Sequence, residues 1–248
     1  MSDYIIVRVE GTRGSVPREV GARMRVFATA CQGTIGGGAL EWEAIRIARA
    51  LLVKGEATHR QTFPLGPDLG QCCGGVVTLS FHRAAQEDHP EGHPFWIWGA
   101  GHVGRAIADV LAPLGDRDIT LVDTSADRMP DVLPYGVSPL VAADPVRVVA
   151  RAPEHADHII VTYSHDIDLA LCDALLRRDF RTCGLIGSAT KWARFRKRLA
   201  SMGHSEARIS RIACPIGDPR LGKHPQAIAV GVVAGLLSPV AAVPGDDA

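Results

Sequence analysis

The stretch Leu69 to Gly75 reads LGQCCGG, and it sets two thiols, Cys72 and Cys73, beside the bare backbone of Gly74 and Gly75. Glycine leaves neighbouring sulfurs uncovered and lets the main chain come close to whatever they touch. Adjacent side chains in extended backbone point to opposite faces, so the pair does not share one ligand. A bridge between neighbours would demand strained geometry. One thiol can be core while the other, as a thiolate, suits a soft metal centre rather than Mg or Ca. Residue types alone do not say which. The plainer alternative, two small apolar residues at a strand start, is weakened by the following Gly-Gly and by a second glycine-rich loop elsewhere.

That second loop is GTIGGGALEWE, where Gly36, Gly37 and Gly38 run straight into a helical pattern. Open N–H groups at a helix start form a ready anion site. Glu41 follows one turn in and either belongs to the site or caps the same helix start. RGSVPREVGARM carries Arg13, Arg18 and Arg23, which can grip a phosphate or carboxylate bidentately, or merely keep the surface soluble. Further on, Gly99, Gly101 and Gly104 make a G-x-G-x-x-G between an apolar run and a helix. Asp123 ends the next apolar run about twenty residues later, where a ribose-binding acid belongs. The alternative is a Rossmann-type frame that keeps these glycines for helix–strand packing. Turns at the same sheet edge add His165, Asp166 and Asp168, then Ser188 and Lys191, then Cys214. His165 with Asp166 can form an acid–base pair, or Asp166 can simply cap a helix. Lys191 opens a basic run through Arg194, Arg196, Lys197 and Arg198, by default a solvated face.

These residues need elements to position them. From Phe95 onward, continuously apolar runs (FWIW, ITLVD, HIIVTYS, TCGLIGS) alternate with helical patterns, which predicts a doubly wound parallel sheet, Rossmann-like, covered on both faces. The first part has strand patterns at YIIVRVEG, RMRVF and VVTLSF and one helix with Leu40, Ala44, Ile47, Ala48, Leu51 and Leu52 on a stripe. It reads as a smaller α/β domain of mixed character. The expected organisation is therefore 1–82, a polar linker 83–94, a Rossmann-like domain 95–240 and a tail 241–248. Lys plus Arg total 27 and Asp plus Glu total 27, so no basic surplus favours nucleic acid or an anionic membrane. The start lacks the pattern of an export signal, and Ile228 to Leu237 is too short to span a bilayer. A cytoplasmic, soluble chain with mostly reduced cysteines is expected, with Cys172 and Cys183 as core residues.

Taken together, RGSVPREVGARM, GTIGGGALE, LGQCCGGVV, WGAGHVGRAIA, GLIGSATKWARF and PIGDPRLGKHPQAIAVGVVAGLL resemble, in order and spacing, the XdhC/CoxI family of xanthine dehydrogenase accessory proteins, on the XdhC side. The resemblance implies a molybdenum-cofactor chaperone that binds molybdopterin without turnover. It would hold the cofactor while a cysteine desulfurase replaces an oxo ligand with sulfido, then deliver it to a xanthine dehydrogenase subunit. The family's cysteine before Gly-Gly falls on Cys73, the candidate molybdenum contact, with Gln71, Cys72, Gly74 and Gly75 around it. Its Gly-rich loop and acid fall on Gly36, Gly37, Gly38 and Glu41, and its nucleotide-type loop on Gly99, Gly101 and Gly104. A homodimer is expected. Whether the Rossmann half takes a nucleotide, part of the cofactor or nothing stays open, and an NAD(P)-dependent oxidoreductase using Asp123 and His165 is the rival reading, with a scaffold that docks both partners without touching cofactor as a third.

Overall fold

A computed structural model describes residues 3–66, 74–84 and 92–238. Its contacts divide the chain into two units, Met1–His89 and Pro90–Ala248. The first holds an antiparallel five-stranded sheet in the order β3-β2-β1-β5-β4. Its strands are β1 (Tyr4–Arg13), β2 (Arg23–Val26), β3 (Cys31–Gly33), β4 (Thr58–Pro64) and β5 (Val76–Ala84), with the single helix α1 (Gly38–Lys54) between β3 and β4. Strand alternation explains the layering. Ile5, Val7 and Val9 point to one face, where they join Leu40, Ala44, Ala48 and Leu51 of α1 in one buried cluster. The register pairs Arg13 with Val76. The turn after β1 and the turn before β5 therefore leave the sheet side by side.

The second unit is a parallel six-stranded sheet in the order β11-β10-β9-β6-β7-β8. The strands are β6 (His93–Trp98), β7 (Arg117–Asp123), β8 (Val137–Val141), β9 (Asp157–Ile160), β10 (Thr182–Leu185) and β11 (Ile212–Ala213). Between and after them run α2 (His102–Leu111), α3 (His165–Leu176), α4 (Ala189–Ser201), α5 (Glu206–Ile209) and α6 (Pro225–Leu237). This is the doubly wound order expected of a Rossmann-like sheet, with its switch point between β6 and β9. Along β6 the side chains alternate between two cores. Phe95 and Ile97 pack with Ile107, Leu111, Val232 and Val233, while Trp96 and Trp98 pack with Leu171, Leu175, Phe195 and Leu199. Cys172 and Cys183 lie fully inside, as expected of core thiols.

Two strands carry little strand signal of their own. β4 (THRQTFP) is a mostly polar, exposed edge strand, and β8 (VSPLV) is a short edge strand interrupted by a proline. Strand also takes both ends of the polar stretch 83–94, since β5 runs to Ala84 and β6 starts at His93; residues 85–91 and 239–248 lie outside the described residues. Among the described residues no helix is long and apolar enough to cross a membrane.

His158, on β9, is 1% exposed, and its Nδ1 accepts the indole N–H of Trp98 at 3.2 Å. Burial, aided by the nearby Arg178 guanidinium and opposed by Asp157, pushes its pKa down from 6.5 to about 4. The folded protein keeps this ring neutral where the unfolded chain would protonate it. Its contribution is therefore intact above pH 6.5 and erodes as pH falls toward 4, by up to about 3 kcal/mol. Urea unfolding between pH 7 and pH 4.5 should show this loss in the natural protein and a flatter profile in His158→Leu; equal slopes would remove His158 as its cause.

Candidate functional site

In the first unit, three separated motifs meet at two glycines, one pressed on main chain and the other on a proline ring. Gly75 lies so close to the turn after β1 that a Cβ there would sit 2.1 Å from the Ser15 carbonyl oxygen and 2.8 Å from that of Arg13. Gly36, at φ +123°, presses on the same turn from the other side, where a Cβ would come within 2.6 Å of the Pro17 ring and 3.5 Å of Arg18 Cγ. No other residue fits either place without moving backbone or ring. Gly74 is anchored by its N–H to the Leu65 carbonyl at 2.8 Å, and the Leu65 N–H returns to the Gly75 carbonyl at 2.7 Å. Arg18, beside Gly36, is half-buried and lies 3.4 Å from Glu19. Gly37 and Gly74, both with positive φ, face open space. Gln71, Cys72 and Cys73, which join directly to Gly74, lie outside the described residues.

The glycine loop already holds an anion of its own. Glu41 Oε2 accepts from the Thr34 hydroxyl at 2.6 Å and from the Ile35 and Gly37 N–H groups at 3.1 Å each. The Gly36 N–H goes to Thr34 Oγ1 at 3.1 Å. Glu41 thus plays the capping part here, and the convergence of donors on one carboxylate oxygen displays the chemistry the cradle favours. The N–H of Gly38, first in the helix, has no intrahelical acceptor. Sequence reasoning singled out the glycines and Glu41 but missed Thr34, Pro17 and Ser15, because nothing in their types signals a contact made across the sheet.

In the second unit the G-x-G-x-x-G loop has Rossmann geometry. A Cβ on Gly104 would sit 1.8 Å from the Gly99 carbonyl oxygen, and one on Gly99 would sit 2.5 Å from that of Val161, so both glycines serve close packing; Gly101 faces open space. Asp123 is 5% exposed and spends both oxygens locally. Oδ2 accepts from the Ala100 N–H at 2.7 Å, and Oδ1 accepts from the Thr124 N–H at 2.7 Å and the Thr124 hydroxyl at 3.2 Å. Arg128 lies 3.6 Å from Asp123 and stacks 3.9 Å over the Tyr163 ring. Gly99, Thr124, Thr162 and Tyr163 line a small hollow beside them. Asp123 thus fastens the glycine loop to the end of β7, the packing alternative that the sequence left open for it.

The remaining candidates separate. His165 and Asp166 are exposed at the start of α3, with His165 edge-on to Phe195 and Asp166 3.7 Å from Arg198. No hydrogen bond joins the two among the described residues. Ser188 caps α4, its Oγ accepting the Lys191 N–H at 3.1 Å. Lys191 turns inward rather than joining a solvated basic face: Nζ donates to Asp168 Oδ2 at 2.5 Å and to the Ile186 carbonyl at 3.0 Å. Asp168 in turn accepts the Thr162 N–H and hydroxyl. Cys214 is half-buried, and burial pushes its thiol up to about 11, so it stays protonated at neutral pH. Among the described residues no cluster of three His, Cys, Asp or Glu could hold a metal ion.

Comparison with known proteins agrees with this geometry. A model described as "XdhC Rossmann domain" matches residues 95–236, and one described as "XdhC and CoxI family" matches residues 2–64. Escherichia coli (strain K12) has a relative named "Uncharacterized protein YqeB", 29% identical over 249 residues, which aligns with 98% of this chain; the chain spans 44% of that protein's length. A solved structure described as a xanthine dehydrogenase from Bacillus halodurans superposes with a TM-score of 0.64 at 14% identity, over 95% of this chain and 90% of that one. At that identity the likeness speaks for the fold. With more than half the chain matched by the Rossmann-domain model and the preceding sheet matched by its companion, the protein belongs to the XdhC family.

Proposed function

We propose that this protein is a carrier for the molybdenum cofactor in the maturation of a xanthine dehydrogenase, binding the cofactor without turning it over. The observation that carries the reading is the meeting of three glycine-relieved loops at one place, Gly14–Arg18, Gly36–Gly38 and Gly74–Gly75, with Gly37 and Gly74 open to solvent. Molybdopterin joins a phosphate, a flat polar bicycle and a dithiolene-held metal. Amides around Gly37 and Gly38, with Arg18 beside them, suit the phosphate. Cys73, or its neighbour Cys72, supplies a single soft donor for the metal, with Gln71 beside them. When bound, the cofactor supplies the redox chemistry of the enzyme that receives it; this chain's share is to grip and release. Ligation through one thiolate and amides already held by Glu41 gives a modest hold, as a carrier that hands over its load requires.

The partners in this reading are a xanthine dehydrogenase subunit and a cysteine desulfurase, met in the cytoplasm by a homodimer of this chain. In the Rossmann unit, Gly101, Asp123, His165, Asp166, Ser188 and Lys191 line the carboxyl edge of the sheet without a nucleotide being required. An NAD(P)-dependent oxidoreductase would need Asp123 on a ribose, and the engagement of both its oxygens argues against that. Titration with NAD(H) and NADP(H) should give no hydride transfer; tight binding together with hydride transfer would restore the oxidoreductase.

Metal and pterin content of freshly purified protein tests the carrier reading directly. Cys73→Ala, or Cys72→Ala if that neighbour faces the metal, should lower retained molybdenum by at least about tenfold, the size of loss seen when metal-site surroundings are altered. Undiminished molybdenum in both variants would refute thiolate ligation. Glu41→Ala should cost about 1–2 kcal/mol of stability through loss of the loop's cap. It should nevertheless retain at least as much pterin as the natural protein, because the competing carboxylate is gone. Folded Glu41→Ala lacking pterin would instead make Glu41 a direct contact.

A further inference from the structure

We infer that Trp42 is the stacking platform for the flat heteroaromatic head of the bound ligand, a role that rests on the carrier reading above. Trp42 is 75% exposed, whereas Trp96 and Trp98 are buried at 6% and 0%. It has no hydrogen-bond or ring partner among the described residues. A solvent-facing indole forgoes one of the largest burial gains open to any side chain. Its place in the fold says what can cover it.

On α1 the buried face runs through Leu40, Ala44, Ala48 and Leu51, so Trp42 points away from the sheet. It follows Gly38 by one helical turn. Long helical side chains lean back over the preceding turn, and here that turn is the bare glycine loop. Gly37 has nothing within 4 Å of where its Cβ would be. The indole therefore borders the same open space as the loop's amides, with the Glu41 carboxylate already marking that space as one that accepts an anionic oxygen. Amides that favour negative charge beside a naked aromatic face select for a ligand that is both anionic and flat. A pterin phosphate has both features. An apolar protein surface has neither, and the half-buried Arg18 at the same loop makes a purely apolar partner a poor match.

The other tryptophans are covered or half-covered by their own cores, so emission changes on binding report mainly on Trp42. The probe is molybdenum cofactor freshly released from a molybdoenzyme under anaerobic conditions and added to the full-length protein. Binding is read both as pterin retained through gel filtration and as tryptophan quenching. Trp42→Ala should weaken retention by about 5- to 100-fold, the range that aromatic stacking on a single base commands, and should abolish most of the quench. Trp42→Phe should recover most of the affinity, while Trp42→Leu, apolar but without a ring face, should not.

If the natural protein retains no pterin at all, the carrier reading itself falls. If it retains pterin and Trp42→Ala retains as much, the platform is wrong and the carrier reading stands. Rescue by leucine equal to that by phenylalanine would overturn stacking in favour of plain apolar cover. A change of molecular mass in Trp42→Ala, read by light scattering, would reassign the indole to contact with a second copy.

Discussion

Main chain pressed against main chain is the constraint on which the first unit depends. Gly75 against the Ser15 carbonyl and Gly36 against the Pro17 ring leave no room for even one added carbon. Side chains could have tied these loops together, but side chains would also have filled the space above them. Close approach at these two glycines joins the loops. The register that pairs Arg13 with Val76 makes this possible, because it brings the turn after β1 beside Gly74 and Gly75, just before β5. A slip of one residue would turn the buried Ile5, Val7 and Val9 outward, so the hydrophobic cluster under α1 holds that register firmly.

Both units meet the same electrostatic problem and solve it alike. A glycine loop opening a helix presents N–H groups with partial positive charge, and an unpaired N–H in such a place is costly. In the first unit Glu41 reaches back to the Ile35 and Gly37 amides; in the second Asp123 reaches across from β7 to Ala100. The environments then part company. Glu41 is half-buried, and one of its oxygens gathers donors from its own loop. Asp123 is enclosed by Thr124, Arg128 and Tyr163, and its exchange would dismantle a packed corner. One carboxylate caps the loop it follows, and the other fastens a loop to a neighbouring strand.

The ion pair of Lys191 and Asp168 belongs with the fastenings. Both groups are nearly excluded from water, so breaking the pair by removing one partner would strand a charge. Through Thr162 and the Ile186 carbonyl it ties the loop after β9 to the loop after β10. The carboxyl edge of the Rossmann sheet is thereby held rigid at the position where doubly wound proteins commonly admit a ligand.

What the amino-acid sequence determines by itself is the class of each layer. The alternation Ile5, Val7, Val9 announces a strand with one covered face, and the continuous FWIW and ITLVD runs announce strands covered on both. The glycine motifs mark where backbone must bend or approach, since only glycine tolerates those places. β4 and β8 escape such reading because edge strands are held by one neighbour and need little apolar pattern. The sequence could offer Glu41 as ligand or cap and Asp123 as ribose acid or packing partner without choosing, and for Lys191 it favoured the solvated face that the fold denies. Tertiary structure makes each choice, because the choice depends on which donor a carboxylate meets from a distant segment. Thr34 and Gly37 claim Glu41, Ala100 claims Asp123, and Asp168 draws Lys191 inward. Residue type sets what a group can bind; only the folded chain sets what lies within reach.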